Sequence, residues 1–292
     1  LHIMTDNSNE EIMYYFGYGS NLDFDDWSKW CRKRSKNPDG LKEIGPAWID
    51  GYHLVFDYYS NSREGGAANL RAVGSGKAAT PGALFEIDKD TLKSLDQKEG
   101  VKLPHCYKRI KVTAFTENGE GFECYTYIHY SDSLDYYQPT KEYETLIRDG
   151  LIRLGLPVTC LDCALANNTN FGIKFFFVYG TLMKNQTRQY AMQSSKFFAD
   201  GEISADMYKI GNYPGIVTGK GMVQGELYES KQPFDLVKEL DRIEGAEISD
   251  PLFNRVIQKV RTKKGDYWSY VYHYANSTKD FELIITGNWK DV

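Results

Sequence analysis

Two glutamates hold equivalent places in this chain. Glu99 ends the string Leu95-Asp96-Gln97-Lys98-Glu99, and Glu244 ends Leu240-Asp241-Arg242-Ile243-Glu244; a glycine follows each. Leu92 and Leu95 fall on one helical face, and Gly100 is a helix stop. A carboxylate in a last helical turn faces the negative end of the helix dipole. Partial burial adds to that, and both effects raise its pKa. Such a group suits general acid–base work near neutral pH. An exposed glutamate in a last turn is the plainer reading of either string alone. Its recurrence favours chemistry.

A second pair of strings supplies what a base lacks. Tyr15 to Leu22 reads YFGYGSNL, and Phe176 to Met183 reads FFVYGTLM. Each is an apolar strand, then a glycine turn, then a small hydroxyl residue able to open a helix. In the first copy Ser20 or Asn21 would cap a helix through Leu22 to Lys33. In the second, Thr181 leads into LMKNQTRQYAMQ. A strand, a tight turn and a helix start aim several backbone N–H groups at one point, where a carboxylate or a developing oxyanion is held. Leu22 stands where a dinucleotide fingerprint needs a third glycine, and no Gly-Lys-Ser/Thr follows, so neither nucleotide motif is present.

These parts must be positioned by two similar frameworks. PGALFEI (Pro81 to Ile87) matches QGELYES (Gln224 to Ser230), Tyr107-Lys108-Arg109 matches Phe253-Asn254-Arg255, and CYTYIHY (Cys124 to Tyr130) matches SYVYHYA (Ser269 to Ala275). The order is the same in both halves, which reads as a tandem duplication of one globular domain. Arg109 to Phe115, Phe122 to Tyr130 and Asp266 to Ala275 alternate with period two and predict strands. Thr140 to Leu154 predicts an amphipathic helix that the second copy lacks. The halves meet near Leu156 to Lys174, a stretch with Pro, Gly and an Asn-rich cluster. Its Cys160-x-x-Cys163 has no second pair and no nearby His, so packing cysteines are the default over a zinc or redox pair. His105 and Cys106, read as neighbours on a strand, would point to opposite faces and make a poor catalytic pair.

Bulk properties narrow the function classes. The chain has 292 residues, 41% hydrophobic and 26% charged, with a net charge of −5. That balance argues against nucleic acid or an anionic membrane as the main partner. The basic run Lys29 to Lys36 reads as a solvated helix face. No apolar run reaches membrane-spanning length. The polar opening, residues 1 to about 11, shows no secretory signal pattern and is set aside from fold reasoning. Five sparse cysteines fit a reducing, cytoplasmic setting.

The motifs together resemble the γ-glutamylcyclotransferase superfamily. YGSNL, SLDQKEGV, a Tyr seven residues beyond Gly100, and PTKEYETLIRDGLIRLGLP resemble γ-glutamylcyclotransferase. VYGTLM, YKIGNYPGIV, VQGELYE, LDRIEG and GNWK resemble the γ-glutamylamine cyclotransferase, or AIG2-like, branch. The resemblance implies an α+β fold: a tandem pair of domains, residues 12–160 and 174–292, each a strongly bent mixed β-sheet or barrel flanked by helices. It implies cyclisation of a γ-glutamyl group to 5-oxoproline with release of an amino acid or amine, and no metal or cofactor. Glu99 and Glu244 would be the acid–base residues. Tyr18, Gly19, Ser20, Asn21, Leu22, Tyr107 and Tyr143 would line the first site; Tyr179, Gly180, Thr181, Leu182 and Tyr213 the second. Leu182 in place of Asn21, and Phe253 in place of Tyr107, predict either different substrate ranges for the two halves or weak activity in one of them. Two alternatives share these residues: γ-glutamyl acyl transfer or deprotection of a γ-glutamyl metabolite, and non-catalytic metabolite binding. The partner is a small molecule; oligomeric state and the amine released are not legible.

Overall fold

A computed structural model describes residues 12–130, 133–170 and 172–292. The opening residues 1–11, set aside above, lie outside the described residues. Strands β1 (Met13–Gly17), β2 (Lys42–Asp50), β5 (Ala79–Ile87), β6 (Lys108–Phe115) and β7 (Gly121–Ile128) close a barrel in the order β1-β5-β2-β6-β7. The ring closes through one parallel pairing, Tyr15 opposite Tyr125. Strands β3 (Tyr52–Ser60) and β4 (Gly65–Ala72) form a separate hairpin beside it.

The second half repeats this order. Strands β8 (Phe175–Val178), β9 (Ser195–Ile210), β10 (Tyr213–Ser230), β11 (Phe253–Thr262) and β12 (Gly265–Tyr274) pair as β8-β10-β9-β11-β12, and β12 returns to β8 in parallel. A two-residue strand β13 (Glu282–Leu283) adds to the edge of β9. The molecule is therefore an α+β tandem of two closed five-stranded barrels with flanking helices. The copies differ at the hairpin. Gly51, at φ +86°, interrupts the chain between β2 and β3. In the second half the corresponding strands run on as β9 and β10, 16 and 18 residues long, with a bulge between Val217 and Met222.

Helices cover the barrels. They are α1 (Phe24–Arg32), α2 (Lys89–Lys98), α3 (Lys141–Arg153), α4 (Thr159–Leu165) and α5 (Pro233–Glu244). Three expectations need correction. Asp23, not Ser20 or Asn21, caps α1, accepting from the Asp26 amide at 2.8 Å; Ser20–Leu22 forms a 3₁₀ turn instead. The stretch after Thr181 forms consecutive turns ending in a short 3₁₀ segment, Gln189–Met192, with Asn185 at φ +65° breaking any helix. His105 and Cys106 also lie in a turn ahead of β6 rather than on a strand, with His105 at φ +62°. The linker carries the short helix α4, where Cys160 is buried and both cysteines are free. Lys29, Arg32, Lys33 and Arg34 are exposed at the end of α1 and beyond it. Among the described residues no helix is long and apolar enough to cross a membrane.

Candidate active sites

The first site is assembled where β1 ends. Asp88 caps α2 by accepting from the Thr91 amide at 2.7 Å, Leu92 and Leu95 bury its inner face, and Gly100 at φ +68° stops it. Glu99 is thereby fixed at the helix end, beside the turn. Asn21 Nδ2 donates to Tyr15 Oη at 2.9 Å and lies 3.4 Å from Glu99 Oε1. The backbone N–H groups of Ser20 and Asn21 find no acceptor among the described residues. Burial pushes the Glu99 carboxyl above its ordinary pKa, against the opposing pull of Lys98, Asn21 and Arg63.

Lys98 and Arg63 were not legible as site residues. The Lys98 side chain is buried beneath the turn, donating to Asn21 Oδ1, to Ser20 Oγ at 3.3 Å and to Asp26 Oδ2 at 3.4 Å. Burial holds its pKa below the usual lysine value, although Glu99 and Asp26 oppose this. Arg63, in the β3–β4 hairpin, grips Asp26 with two bonds of 2.9 and 2.7 Å and donates to Ser20 Oγ at 3.0 Å. Burial raises the Asp26 pKa, but Arg63 and Lys98 outweigh it and hold the carboxylate ionised. Lys98 could have been noticed by laying the repeats side by side, since Ile243 occupies its place. Arg63 had no sequence signal.

The tyrosines divide into latches and lining. Tyr18 Oη donates to the Tyr127 carbonyl at 2.5 Å, and Tyr179 Oη donates to the Tyr272 carbonyl at 2.6 Å. Both hydroxyls tie the turn to the barrel. Tyr107 Oη donates to the Ala68 carbonyl at 2.6 Å, so its proton is committed. Tyr143 Oη accepts from the Ala68 amide at 3.1 Å, and its own proton has no acceptor among the described residues. A Cβ on Gly19 would come 3.3 Å from that hydroxyl, so the bare glycine keeps the turn and Tyr143 together. Leu22 does not join this group; it is buried against Gly150 of α3.

The second site is simpler and less polar. Glu244 is the last residue of α5, with Gly245 at φ +63° behind it. It lines a small cleft with Tyr179, Gly180, Thr181, Leu182 and Tyr213. Its carboxyl is buried and makes no hydrogen bond among the described residues. Burial raises its pKa to about 7, with Arg188 pulling the other way. The amides of Thr181 and Leu182 also lack acceptors among the described residues. Leu182, Ile243 and Phe253 stand where the first site has Asn21, Lys98 and Tyr107. Among the described residues, no cluster of three or more His, Cys, Asp or Glu side chains could hold a metal ion.

Comparison with known proteins gives the same duplication. The family model described as gamma-glutamyl cyclotransferase, AIG2-like, matches residues 15–146 and again 176–291. The gamma-glutamylcyclotransferase family protein YtfP of Escherichia coli is 33% identical over 118 residues, 39% of this chain and 95% of that protein. The gamma-glutamylcyclotransferase of Homo sapiens is 29% identical over 154 residues, 51% of this chain and 76% of that one. A solved gamma-glutamyl cyclotransferase structure has 27% identity and a TM-score of 0.45, covering 54% of this chain and 88% of its own. The crystal structure of YkqA from Bacillus subtilis covers 90% of this chain and 84% of its own, at 14% identity and a TM-score of 0.36. With the family model matched in both halves and over most of its length, the chain belongs to the gamma-glutamyl cyclotransferase, AIG2-like family.

Proposed function

We propose that both domains, residues 12–160 and 174–292, cyclise γ-glutamyl compounds to 5-oxoproline and release the amine. The substrate carries its own nucleophile. Its α-amino nitrogen attacks the δ-carbonyl carbon, a new C–N bond closes the ring, and the bond to the leaving amine breaks. The protein has three tasks: hold the ring-closing conformer, take one proton from the α-ammonium before attack and pass the second, released as the ring closes, to the leaving nitrogen, and stabilise the tetrahedral oxyanion. Holding two groups in place contributes on the order of 7 kcal/mol or more. A positioned base adds ~10²- to 10⁴-fold, and fixed N–H donors about 3–4 kcal/mol where charge develops.

Glu99 and Glu244 would carry these protons. The Ser20–Asn21 and Thr181–Leu182 amides would receive the carboxylate or the oxyanion, and Tyr143 would add a donor in the first site. One observation carries this reading: in each copy, a carboxyl raised in pKa by burial shares a site with backbone donors that have no acceptor among the described residues.

The test is 5-oxoproline release from γ-glutamyl amino acids and γ-glutamyl amines by the full chain, by Glu99→Gln, by Glu244→Gln and by the double variant. The double variant should lose ~10²- to 10⁴-fold, and each single variant should lose one part of the substrate range. Transfer products without 5-oxoproline would replace this reading by acyl transfer. Full turnover in the double variant would remove both glutamates from the mechanism.

A further inference from the structure

Two charged side chains line the second cleft, Glu244 and Arg188; the rest of the lining is apolar, aromatic or uncharged. Arg188 is half-buried, and its guanidinium makes no ion pair and no hydrogen bond among the described residues. Its backbone is fixed by the turn itself, because the Arg188 amide donates to the Thr181 carbonyl at 2.8 Å. The first site offers a contrast. Arg63 and Lys98 are both spent there on Asp26 and on the side chains of the turn. The residue seven positions after Ser20 is Trp27, whereas Arg188 stands seven after Thr181, so the cation is peculiar to the second copy.

We infer that Arg188 is the carboxylate-binding residue of the second site and makes that site a reader of zwitterionic α-amino acid head groups. This rests on the proposed cyclisation and deepens it. In a γ-glutamyl substrate the α-ammonium and α-carboxylate share one carbon. A base for the first and a cation for the second must therefore share one cleft, as Glu244 and Arg188 do, close enough for the arginine's charge to act on the carboxyl. A guanidinium presents paired N–H groups that match a carboxylate's two oxygens, which a backbone turn does less selectively. With the carboxylate on Arg188, the Thr181 and Leu182 amides are left for the oxyanion. Ile243, Leu252 and Phe253 then form an apolar wall for the released amine.

The experiment uses the full chain carrying Glu99→Gln, so that the second site is read alone. Its kcat and KM are measured on a γ-glutamyl alkylamide and on the same compound with the α-carboxylate replaced by a carboxamide. Arg188 should favour the carboxylate by about 10- to 100-fold, mostly through KM. Arg188→Gln should abolish that preference, read as the ratio of kcat/KM for the two substrates so that any change in Glu244 acts on both alike, and Arg188→Lys should restore part of it. Binding of 5-oxoproline against 2-pyrrolidinone reads the same contact without turnover. Unchanged carboxylate preference in Arg188→Gln, with 5-oxoproline still released, would overturn Arg188's role alone. A chain that neither releases nor binds 5-oxoproline would overturn the cyclisation as well.

Discussion

The two glutamates occupy one geometric place but different chemical settings. Glu99 has an amide, Asn21, within 3.4 Å and a lysine ammonium in the next position. Glu244 has Leu182 and Ile243 in those places, and Arg188 as its one charged companion in the cleft. Burial acts on both, but less opposes it at Glu244, whose pKa reaches about 7. That shift has a consequence for stability. A carboxyl whose pKa is higher folded than unfolded binds its proton more tightly in the native state. Its contribution is present in full below about pH 4.3, the ordinary glutamate range, and is lost as pH rises through about 7. Above that, the fold carries a buried charge, at a cost on the order of 3 kcal/mol. Glu244→Gln should therefore melt several degrees higher than the parent at pH 8 and at nearly the same temperature at pH 4. Melting curves across that range check it; a difference independent of pH would mean that Glu244 is not titrating in its buried place.

The glycine-to-turn geometry depends on what the helices press against it. Helix α3 approaches the first turn at Gly150, where an added Cβ would lie 2.5 Å from Leu22 Cβ. Arg153 of the same helix donates to the Leu22 carbonyl at 3.1 Å. Alanine is the better helix former by about 1 kcal/mol, but overpacking a filled core costs about 1–3 kcal/mol, and this contact is far inside ordinary separation. Gly150→Ala should lower the melting temperature and displace the turn. Turnover at the first site should fall, measured in a Glu244→Gln background, while the second site keeps its rate. At this scale the sequence was uneven as a guide. Strands with strict alternation and helices α2, α3 and α5 were legible from periodicity and from Gly100 and Gly245. The cap of α1 was not, because Ser20, Asn21 and Asp23 are all good caps and tertiary contacts of the turn decide among them. The false helix after Thr181 came from reading the second copy by analogy with the first. Arg63 was invisible because a hairpin tip carries no period, and only folding brings it onto Asp26.

The two barrels are joined by a buried network as well as by apolar contact. Trp48 of the first and Trp268 of the second lie 6.1 Å apart, and one core cluster contains residues of both. Arg255, on β11, reaches Asp50 at 3.1 Å and Ser75 at 2.7 Å in the first domain, and Asp241 at 2.9 Å in the second. Asp241 lies on α5, three residues before Glu244, and also accepts from Tyr272, which lines the second cleft. The duplicated pair in the first domain, Arg109 and Asp96 at 2.6 Å, is partly exposed and touches no such bridge. Their side chains are 34% and 25% exposed, against 7% and 13% for Arg255 and Asp241, and this difference sets the expected energies. An exposed pair is worth about 0–1 kcal/mol. Removing one partner from a buried network strands its charges and costs about 3–5 kcal/mol. Arg255→Met should therefore destabilise the chain by that larger amount, and Arg109→Met by the smaller. Because Arg255 ties the domains together, calorimetry should show one coupled transition in the parent. In Arg255→Met the second domain should melt first as a separate transition, with turnover at its site lost before that of the first. Equal costs for the two arginines would mean that the duplicated pairs do the same work, and that the second site does not depend on the first domain for its shape.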